Sequence, residues 1–530
     1  MMDSYENLII KKLIQQKIKT SAEFFALQRK VSKKSQQPFP KNTALLKAYR
    51  DLFQAGNPST RTRSARSVRG KGIKPNLFLE NILKTRKIRS LSGIVSITVI
   101  TKPYPCPGRC IYCPKEPDMP KSYLANEPAC MRAVLTKFDP YKQVEARLNS
   151  LQFTGHPTDK IELIVLGGTW SYYPKKYQTW FIKRCFDACN RKIAKSLRKA
   201  QKLNEKSKNR IIGLTLETRP DYVTIKEIKR MRELGCTRVE LGVQSIYDDV
   251  LKFNRRGHDL KETIKATKLL KDAGFKVTYH MMLNLPSSSI KKDEKAFEEL
   301  FSNPNFQPDQ LKIYPCVILK TAPLYKLYKQ GKYKPYSDKQ LIDLLIKIKQ
   351  KIPPYVRIIR IIRDIPSQSI IAGNKASNLR QIIQQQKIQC KCIRCREPHE
   401  KIAKKLKLFR QDYSASDGRE IFLSYEDPQR KNIYAFLRLR ITNQWSLPIL
   451  KNSALIRELH VYGRVVPIKT RTKQAAQHKG LGQKLMSEAE KIAKKEFGFF
   501  KVAVISGIGV REYYRKLGYR PKGNYMVKLL

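Results

Sequence analysis

The chain has 530 residues, and its 41% hydrophobic and 9% aromatic content is that of a folded protein with a sizeable core, which excludes general disorder. Its 107 Lys and Arg against 44 Asp and Glu give a formal charge of +63, which favours a nucleic-acid partner, with adaptation to a salty or hot habitat as the alternative. No apolar run approaches the roughly 18 residues of a membrane span and no secretory signal opens the chain, so we expect a cytoplasmic protein with no membrane partner.

Residues 1–80 are predicted to form a basic helical segment. Apolar residues at helical spacing over 6–19 predict a first helix, Thr20 with Glu23 predicts a capping box that opens a second, and Asn42 caps a third. The stretch 57–76, NPSTRTRSARSVRGKGIKPN, is basic and has no apolar period. It predicts either a loop that becomes ordered on an anionic partner or a solvated linker.

Short apolar runs alternate with helical stretches over residues 81–365. Six runs predict strands, and they fall at 94–101, 161–168, 211–217, 238–243, 277–285 and 311–315. A basic helix or arm at 191–210 separates the second and third runs, and a further run at 356–362 closes the section. The pattern predicts an α/β fold, an incomplete (βα)6 barrel with its functional residues at the carboxyl ends of the strands.

The rest of the chain is predicted to form a cysteine-bearing linker, 366–405, and a mixed α/β domain, 406–530. In the second of these, strands are predicted at 422–427, 434–442, 458–466, 501–507 and 525–530, with one long helix at 483–496. Its length of roughly 130 residues is that of a separate domain.

Three cysteines, Cys106, Cys110 and Cys113, follow the first predicted strand in a Pro/Gly-rich loop. Three thiolates hold a [4Fe–4S] cluster with one iron left open, whereas a structural zinc needs a fourth ligand and none follows closely. The C-x3-C-x2-C spacing is the signature of radical S-adenosylmethionine (SAM) enzymes, in which the open iron binds the methionine end of SAM.

Two further strand ends fit the same cofactor. Gly167, Gly168 and Thr169 follow the second strand, where such enzymes hold the amino group of SAM, although a Gly-Gly pair alone predicts only a tight turn. Glu217 ends the third strand and is a candidate for the ribose hydroxyls of SAM. The alternative is a buried ion pair between Glu217 and Arg219.

A glycine-containing turn, Q-x-x-G-x-G, precedes the long C-terminal helix and contains Gln477, Gly480 and Gly482. Such a turn directs backbone N–H groups and the helix dipole at an anion. It is typical of the pyrophosphate loop for acyl-CoA in GNAT acetyltransferases, and the alternative is an ordinary strand–helix turn.

The motifs together resemble one family, the catalytic subunit of Elongator in its single-subunit archaeal and bacterial form, called tRNA carboxymethyluridine synthase. The resemblance rests on sequences that occur in the family's order, among them RSLSGIVSITVITKPYPCPGRCIYCP, DKIELIVLGGTW, ETRPDYVT, NRRGHD, CKCIRC, ELHVYGRVVP and VISGIGVREYYRKLGY. It covers nearly the whole chain from about residue 38.

The resemblance implies a radical SAM barrel joined to a GNAT domain. It implies that a 5′-deoxyadenosyl radical abstracts hydrogen from the methyl of acetyl-CoA, that the carbon adds to position 5 of the wobble uridine, and that thioester hydrolysis leaves 5-carboxymethyluridine. The implied partners are the anticodon stem-loop of tRNA and a reductant protein for the cluster, with other Elongator subunits absent or unknown.

The resemblance also implies site residues. Lys160 and Tyr514 would be catalytic, and three cysteines of the linker would bind zinc, with Cys316 or His399 as the fourth ligand. The zinc cysteines are Cys390, Cys392 and Cys395. The implied acetyl-CoA contacts are Lys160, Glu458, Leu459, His460, Val461, Gln477, Gly480, Leu481, Gly482, Gln483 and Tyr514.

The chain departs from the family pattern at 123–129 and 282–287, near the presumed radical pocket. Two rival functions are considered. One is a protein lysine N-acetyltransferase with a structural radical-SAM-like domain, which would not need an intact cysteine triplet. The other is a non-enzymatic tRNA-binding protein, which the intact ligands at both sites argue against.

Overall fold

The computed structural model describes residues 4–16, 18–55, 76–85, 92–386, 388–398, 405–462 and 480–530. The chain divides into two compact units, Met1–Val95 with Ala146–Thr158 and Ser96–Glu145 with Asp159–Leu530. Within the described part of the chain, no helix combines the length and the apolar character that a bilayer span requires.

The first unit is helical, as predicted. Thr20 caps its second helix by accepting a hydrogen bond from Glu23 N at 3.2 Å, while Asn42 is the first residue of the third helix and not its cap. Apolar side chains such as Ile9, Leu13 and Phe24 are fully buried between the helices. The helices are α1 (Tyr5–Gln15), α2 (Ser21–Lys34), α3 (Asn42–Ala55) and α4 (Leu77–Leu83).

The second unit contains two sheets, and the first confirms the predicted barrel strands. These strands are β1 (Val95–Ile100), β2 (Lys160–Leu166), β3 (Arg210–Thr218), β4 (Arg238–Gln244), β5 (Lys276–Leu283), β6 (Gln310–Pro315) and β8 (Arg357–Arg360). Their order is β1-β2-β3-β4-β5-β6-β8, and the pairs from β2 to β8 are parallel. The run at 356–362 thus supplies a seventh strand. Two short strands, β7 (Ile318–Leu319) and β9 (Ile370–Ala372), form a separate pair.

Helices connect these strands, so the carboxyl ends of the parallel strands share one edge of the sheet. Thr224 caps α9 and an Asp259–Glu262 capping box opens α11. The helices are α5 (Pro128–Leu135), α6 (Pro140–Phe153), α7 (Lys175–Asn190), α8 (Leu197–Asn204), α9 (Ile225–Leu234), α10 (Asp248–Phe253), α11 (Leu260–Asp272), α12 (Ile290–Ser302), α13 (Leu324–Lys329), α14 (Asp338–Lys351) and α15 (Leu379–Gln385).

The second sheet is mixed, with order β10-β11-β12-β13-β14-β16-β15. Its strands are β10 (Lys407–Ala415), β11 (Gly418–Glu426), β12 (Ile433–Ile441), β13 (Ala454–Val461), β14 (Lys501–Val504), β15 (Arg520–Lys522) and β16 (Tyr525–Leu529). The β13–β14 pair is parallel and the other pairs are antiparallel. Helices α16 (Leu481–Lys495) and α17 (Arg511–Lys516) complete the fold, and buried α16 residues share the core of this sheet.

A buried cluster of charges joins the two sheets. Arg457 of β13 donates to Asp309, the residue before β6, at 3.0 Å, and Arg440 of β12 donates to Asp272 at the end of α11 at 2.9 Å. Lys276, which opens β5, lies 3.3 Å from Glu458 of β13. Because each partner in the first sheet lies at the amino end of a strand, the second sheet covers the edge opposite the carboxyl ends.

Candidate active site

The first cysteine triplet lies in the loop after β1, at the carboxyl edge of the parallel sheet. Cys110 is buried, and Cys106 and Cys113 are half-buried. Cys106 Sγ is 3.8 Å from Thr169 Oγ1, which follows β2. The three thiols therefore lie beside the glycine turn that the sequence assigns to SAM.

A buried arginine stands behind the triplet. Arg256 Nη1 donates to Cys110 Sγ at 3.4 Å, and the same guanidinium binds the carbonyl of Gly242. A hydrogen bond from Cys113, together with the positive charge of Arg256, holds the pKa of the Cys110 thiol well below its usual range despite burial. The thiolate form, which is the form that binds metal, is thus favoured.

The donor set fits an iron–sulfur cluster. A Cβ added to Gly108 would stand 2.5 Å from Arg219 Nη1, closer than a normal contact, and in ordinary contact with Cys110 Sγ at 3.5 Å and Cys106 Sγ at 3.7 Å, so a side chain here would displace the guanidinium beside the thiols. Among the described residues, Arg219 Nη1 and Arg256 Nε are buried N–H donors without a hydrogen-bond partner. Buried donors of this kind call for an acceptor, and an anionic cluster with its cofactor supplies one.

The glycine turn after β2 has the geometry that a close backbone approach requires. Gly167 and Gly168 hold φ of +139° and +96°, in the region that favours glycine. A Cβ on Gly167 would collide with Thr101 Oγ1, whereas one on Gly168 would have only Lys121 O, at 3.7 Å, nearby. The turn therefore leaves room for a ligand beside Gly168.

Glu217 lies at the carboxyl end of β3 and does not pair with Arg219. It accepts a hydrogen bond from Tyr123 Oη at 2.8 Å and lies 3.6 Å from His280 Nδ1. Arg219 pairs instead with Asp221 at 2.8 Å. The alternative ion pair is thus not formed, and the Glu217 side chain stays partly open to solvent, with 18% of it exposed.

A chain of charged side chains extends from Glu217 along the sheet, and sequence reasoning missed it. His280 Nε2 is 2.8 Å from Glu240 Oε2, and Lys312 pairs with the same carboxylate. Arg238 lies 3.9 Å from Glu240 and 2.7 Å from Glu162. The sequence does contain a signal for this chain of charges: charged residues at alternating positions of otherwise apolar strands lie on one face of the sheet.

The predicted coenzyme A turn is described from Gly480 onwards, and Gln477 lies outside the described residues. Gly480 is the N-cap of α16 with φ +67°, and a Cβ there would meet nothing within 4 Å. A Cβ on Gly482 would stand 2.8 Å from Tyr513 Oη and 3.4 Å from Val461 Cγ2. Leu481 is buried and Gln483 is exposed. The backbone N–H groups that open α16 thus have no carbonyl partner within the helix, which is the arrangement that binds an anion.

The end of β13 contributes Glu458, Leu459, His460 and Val461. Burial alone would raise the pKa of Glu458, but Lys276 and Arg438 lower it to about 2, so the side chain is an anion. Burial lowers the pKa of His460 to about 4, and its ring stacks on Phe436 at 5.6 Å. His460 Nε2 has no partner among the described residues, while Leu459 and Val461 pack on the core of the second sheet.

The two tyrosines of α17 differ in position. Tyr514, the predicted catalytic residue, is 6% exposed and packs in the core of the second sheet. Tyr513 is 38% exposed, and its hydroxyl is the group that faces Gly482. The hydroxyl nearest the predicted coenzyme A turn therefore belongs to Tyr513, which the sequence analysis did not assign.

Lys160 opens β2, at the end of the sheet that the second sheet covers. Burial lowers the pKa of its ammonium group. It is paired in register with Arg210 of β3, and a Cβ on Gly509 would stand 2.6 Å from Arg210 Cβ. Lys160 is thus close to the C-terminal sheet and far along β2 from the cysteine triplet.

The second cysteine triplet forms a compact thiol group. The Sγ atoms of Cys390, Cys392 and Cys395 all lie within 4.8 Å of one another, and Lys349 Nζ is 3.5 Å from Cys395 Sγ. Cys316 is wrong as a fourth ligand: it follows the carboxyl end of β6, whereas Ile393 N binds Val356 O before the amino end of β8. His399 lies outside the described residues.

The segments that depart from the family pattern line the same carboxyl edge. Tyr123 binds Glu217, as described above. Asn284 and Ser287 hold φ of +60° and +70°, and Ser288 N closes a turn on Leu285 O at 2.9 Å. A serine at the third position of this turn occupies a conformation that favours glycine.

Comparison with known proteins identifies two matching regions. The Radical SAM superfamily model matches residues 101–300, and the Radical_SAM C-terminal domain model matches residues 308–388. A tRNA uridine(34) acetyltransferase of Methanocaldococcus jannaschii is 49% identical over 85% of this chain and 87% of its own length. Human Elongator complex protein 3 is 42% identical over 84% of this chain and 86% of its own length.

A solved structure agrees in fold. The Elp3 of Methanocaldococcus infernus, with its N-terminus deleted, superimposes with a TM-score of 0.74 at 46% identity. The match covers 83% of this chain and all of that structure.

Proposed function

The chain belongs to the radical SAM family that contains tRNA uridine(34) acetyltransferase and Elongator complex protein 3, and on that premise we propose that it modifies the wobble uridine of tRNA. The methyl group of acetyl-CoA would lose one hydrogen atom, and its carbon would bond to position 5 of the base. The hydrogen at position 5 would leave as a proton, the remaining electron would return to the carrier that reduces SAM, and hydrolysis of the thioester would leave 5-carboxymethyluridine.

The observation that carries the proposal is that one compact unit contains two candidate ligand-binding sites, which we call cradles. One is the cysteine triplet, with Arg256 behind Cys110 and unpartnered buried donors around it. The other is the Gly480–Gly482 turn at the start of α16. A simple acetyltransferase would need only the second cradle, and a simple radical enzyme only the first.

Each cradle has a distinct task. When bound, a [4Fe–4S] cluster with SAM supplies a carbon radical that takes hydrogen from a methyl group. Cys106, Cys110 and Cys113 would hold the cluster. Gly168, Thr169 and Glu217 would orient SAM at the carboxyl edge of the sheet.

The C-terminal sheet would hold the co-substrate. The N–H groups that open α16 would bind the pyrophosphate of acetyl-CoA, and Lys160 and Glu458 would fix its chain at the amino end of the barrel strands. Gln477 and Tyr514 belong to the same proposed acetyl-CoA site. Tyr514 would support the site from the core of the second sheet, and Tyr513 would place its hydroxyl beside Gly482.

The linker triplet would be a structural zinc site. Three thiols within 4.8 Å of one another match the ligand type and convergence that Zn²⁺ requires. His399 remains the candidate for the fourth zinc ligand. A reductant protein would supply the electron for the cluster.

The test is nucleoside mass spectrometry of tRNA treated with anaerobically purified protein, SAM, acetyl-CoA and a reductant. Wild type is expected to form 5-carboxymethyluridine, and Cys110→Ala is expected to form none and to lose iron but not zinc. Cys392→Ala is expected to lose zinc. Cys189→Ala, which changes a buried cysteine of α7, is the matched control and should behave as wild type. Modified lysine in place of modified uridine would contradict the proposal.

A further inference from the structure

Six aromatic rings form a continuous row beside the first cysteine triplet, and we name this row the aromatic ladder. The rings in the middle of the row are stacked. The ring centroids of Tyr104 and Tyr173 are 4.9 Å apart with planes 30° apart, and those of Tyr173 and Tyr177 are 5.3 Å apart with planes 23° apart. The ladder consists of Trp180, Tyr177, Tyr173, Tyr104, Tyr172 and Tyr222.

The ladder is anchored to the active-site edge of the sheet. Tyr104 precedes Cys106 by two residues. Tyr173 Oη is 2.8 Å from Thr101 Oγ1 and donates to the carbonyl of Gly167 at 3.2 Å. The middle of the ladder, Tyr173 and Tyr104, therefore lies at the proposed SAM turn, and the row extends outwards from there in both directions.

Two rings of the ladder are exposed to solvent, whereas aromatic side chains that only fill a core are buried. Trp180 is 43% exposed and Tyr172 is 41% exposed, whereas Tyr173 between them is 5% exposed. The buried rings thus support the exposed ones, and part of each exposed side chain is open to solvent and accessible to a planar ligand.

The surroundings are cationic. The stretch 170–180, WSYYPKKYQTW, has two lysines and no acidic residue, and Lys175 and Lys176 are exposed. Lys102 Nζ lies 5.2 Å from the Tyr177 ring centroid. Exposed aromatic faces interleaved with lysines form the combination that stacks bases while it holds phosphates.

We propose that the aromatic ladder is a stacking site for unpaired bases of an RNA loop, next to the base that is modified. This rests on the proposed function and adds to it the residues that receive the loop. Only unpaired bases offer a free face for stacking, because paired bases already stack inside a helix. The ladder would thus select a loop over a duplex, while the lysines hold the backbone.

The experiment measures binding of an anticodon stem-loop RNA to the full-length protein, with 2-aminopurine beside the target uridine as a stacking probe. Tyr172→Ala and Trp180→Ala are expected to weaken binding by about 5- to 150-fold each and to reduce the quenching of 2-aminopurine. The slope of log affinity against log salt should not change, since no phosphate contact is lost.

Two controls separate stacking from other effects. Tyr172→Phe keeps the ring and should bind and quench as wild type does. Phe500→Ala removes another exposed aromatic, the residue before β14, which is 66% exposed, and should change neither affinity nor quenching.

Unchanged affinity and quenching in both alanine variants would overturn the ladder and leave the proposed function standing. An equal loss of affinity for a fully paired RNA would also overturn it, because the loss would then not concern unpaired bases. A wild-type protein that binds no RNA would overturn the proposed function and the ladder together.

Discussion

At the scale of single residues, Arg256 has the most direct effect on the chemistry that we propose. Its guanidinium lies 3.4 Å from Cys110 Sγ, although 146 residues separate the two in sequence. A fixed positive charge at that distance, in a buried site, stabilises negative charge on the Cys110 thiolate and on any group bound to it.

This gives a prediction for the proposed cluster. Arg256→Gln is expected to lower the midpoint potential of the cluster by on the order of 100 mV, because reduction adds negative charge that the guanidinium stabilises. Arg256→Lys keeps the charge and should recover most of the potential. A redox titration followed by electron paramagnetic resonance, on proteins of equal iron content, measures the shift. Equal potentials for wild type and Arg256→Gln would show that the arginine acts only in packing.

The contacts of single residues are also the features that were hardest to predict from the sequence. The cysteine and glycine positions were predictable, because local spacing specifies them. The pairings of Glu240 with His280 and Lys312 were not, since they join three strands that are far apart in sequence. The same holds for Tyr513, whose proximity to Gly482 depends on the packing of α17 beside the start of α16.

At the scale of elements, the predictable strands were those with buried, apolar runs. The six barrel strands agree with their predicted positions within one or two residues. Strand β10 was not predicted, because its side chains are exposed or half-buried along most of its length and its sequence has no apolar run. It is held by antiparallel pairing with β11, which is a tertiary effect.

The elements that join the two sheets lead to a pH prediction. Lys271 of α11 is fully buried 3.9 Å from Asp309 and 3.8 Å from Glu420, with Arg440 and Arg457 also near it. Burial, with the two arginines, lowers the pKa of Lys271 from 10.5 to about 8. Between these values the unfolded chain binds the proton and the folded chain does not, so stability rises with pH.

We therefore expect the free energy of unfolding to gain up to about 3 kcal/mol between pH 8 and 10.5 from this group. Lys271→Met should lack that gain and be at least as stable as wild type near pH 7.5, because the neighbouring carboxylates keep their arginines. Lys268→Met, on the same helix with its side chain 26% exposed, is the control and should retain the gain. Chemical denaturation at the two pH values measures it, and an identical gain in Lys271→Met would refute this assignment.

At the scale of the whole molecule, two features act together. The charge of +63 provides long-range attraction for a polyanion, and the second unit holds the two proposed ligand sites, one at each end of its parallel sheet. The basic stretch around Arg61, Arg63, Arg66 and Arg69 lies outside the described residues, and its role as a tRNA-binding segment stays a prediction. The fold class was predictable from motif order, because each motif lies at a strand end whose place in the sheet is set by connectivity.

We propose that one chain uses a radical to transfer the acetyl carbon of acetyl-CoA to uridine. The most direct measurement follows the methyl hydrogens of acetyl-CoA that carries a trideuterated acetyl group, in an anaerobic reaction with unmodified tRNA. We predict that one deuterium appears in 5′-deoxyadenosine and that the two remaining deuteriums appear in the carboxymethyl group of the wobble uridine. Unlabelled 5′-deoxyadenosine, or a trideuterated acetyl group on lysine with no label in the nucleoside, would contradict the account.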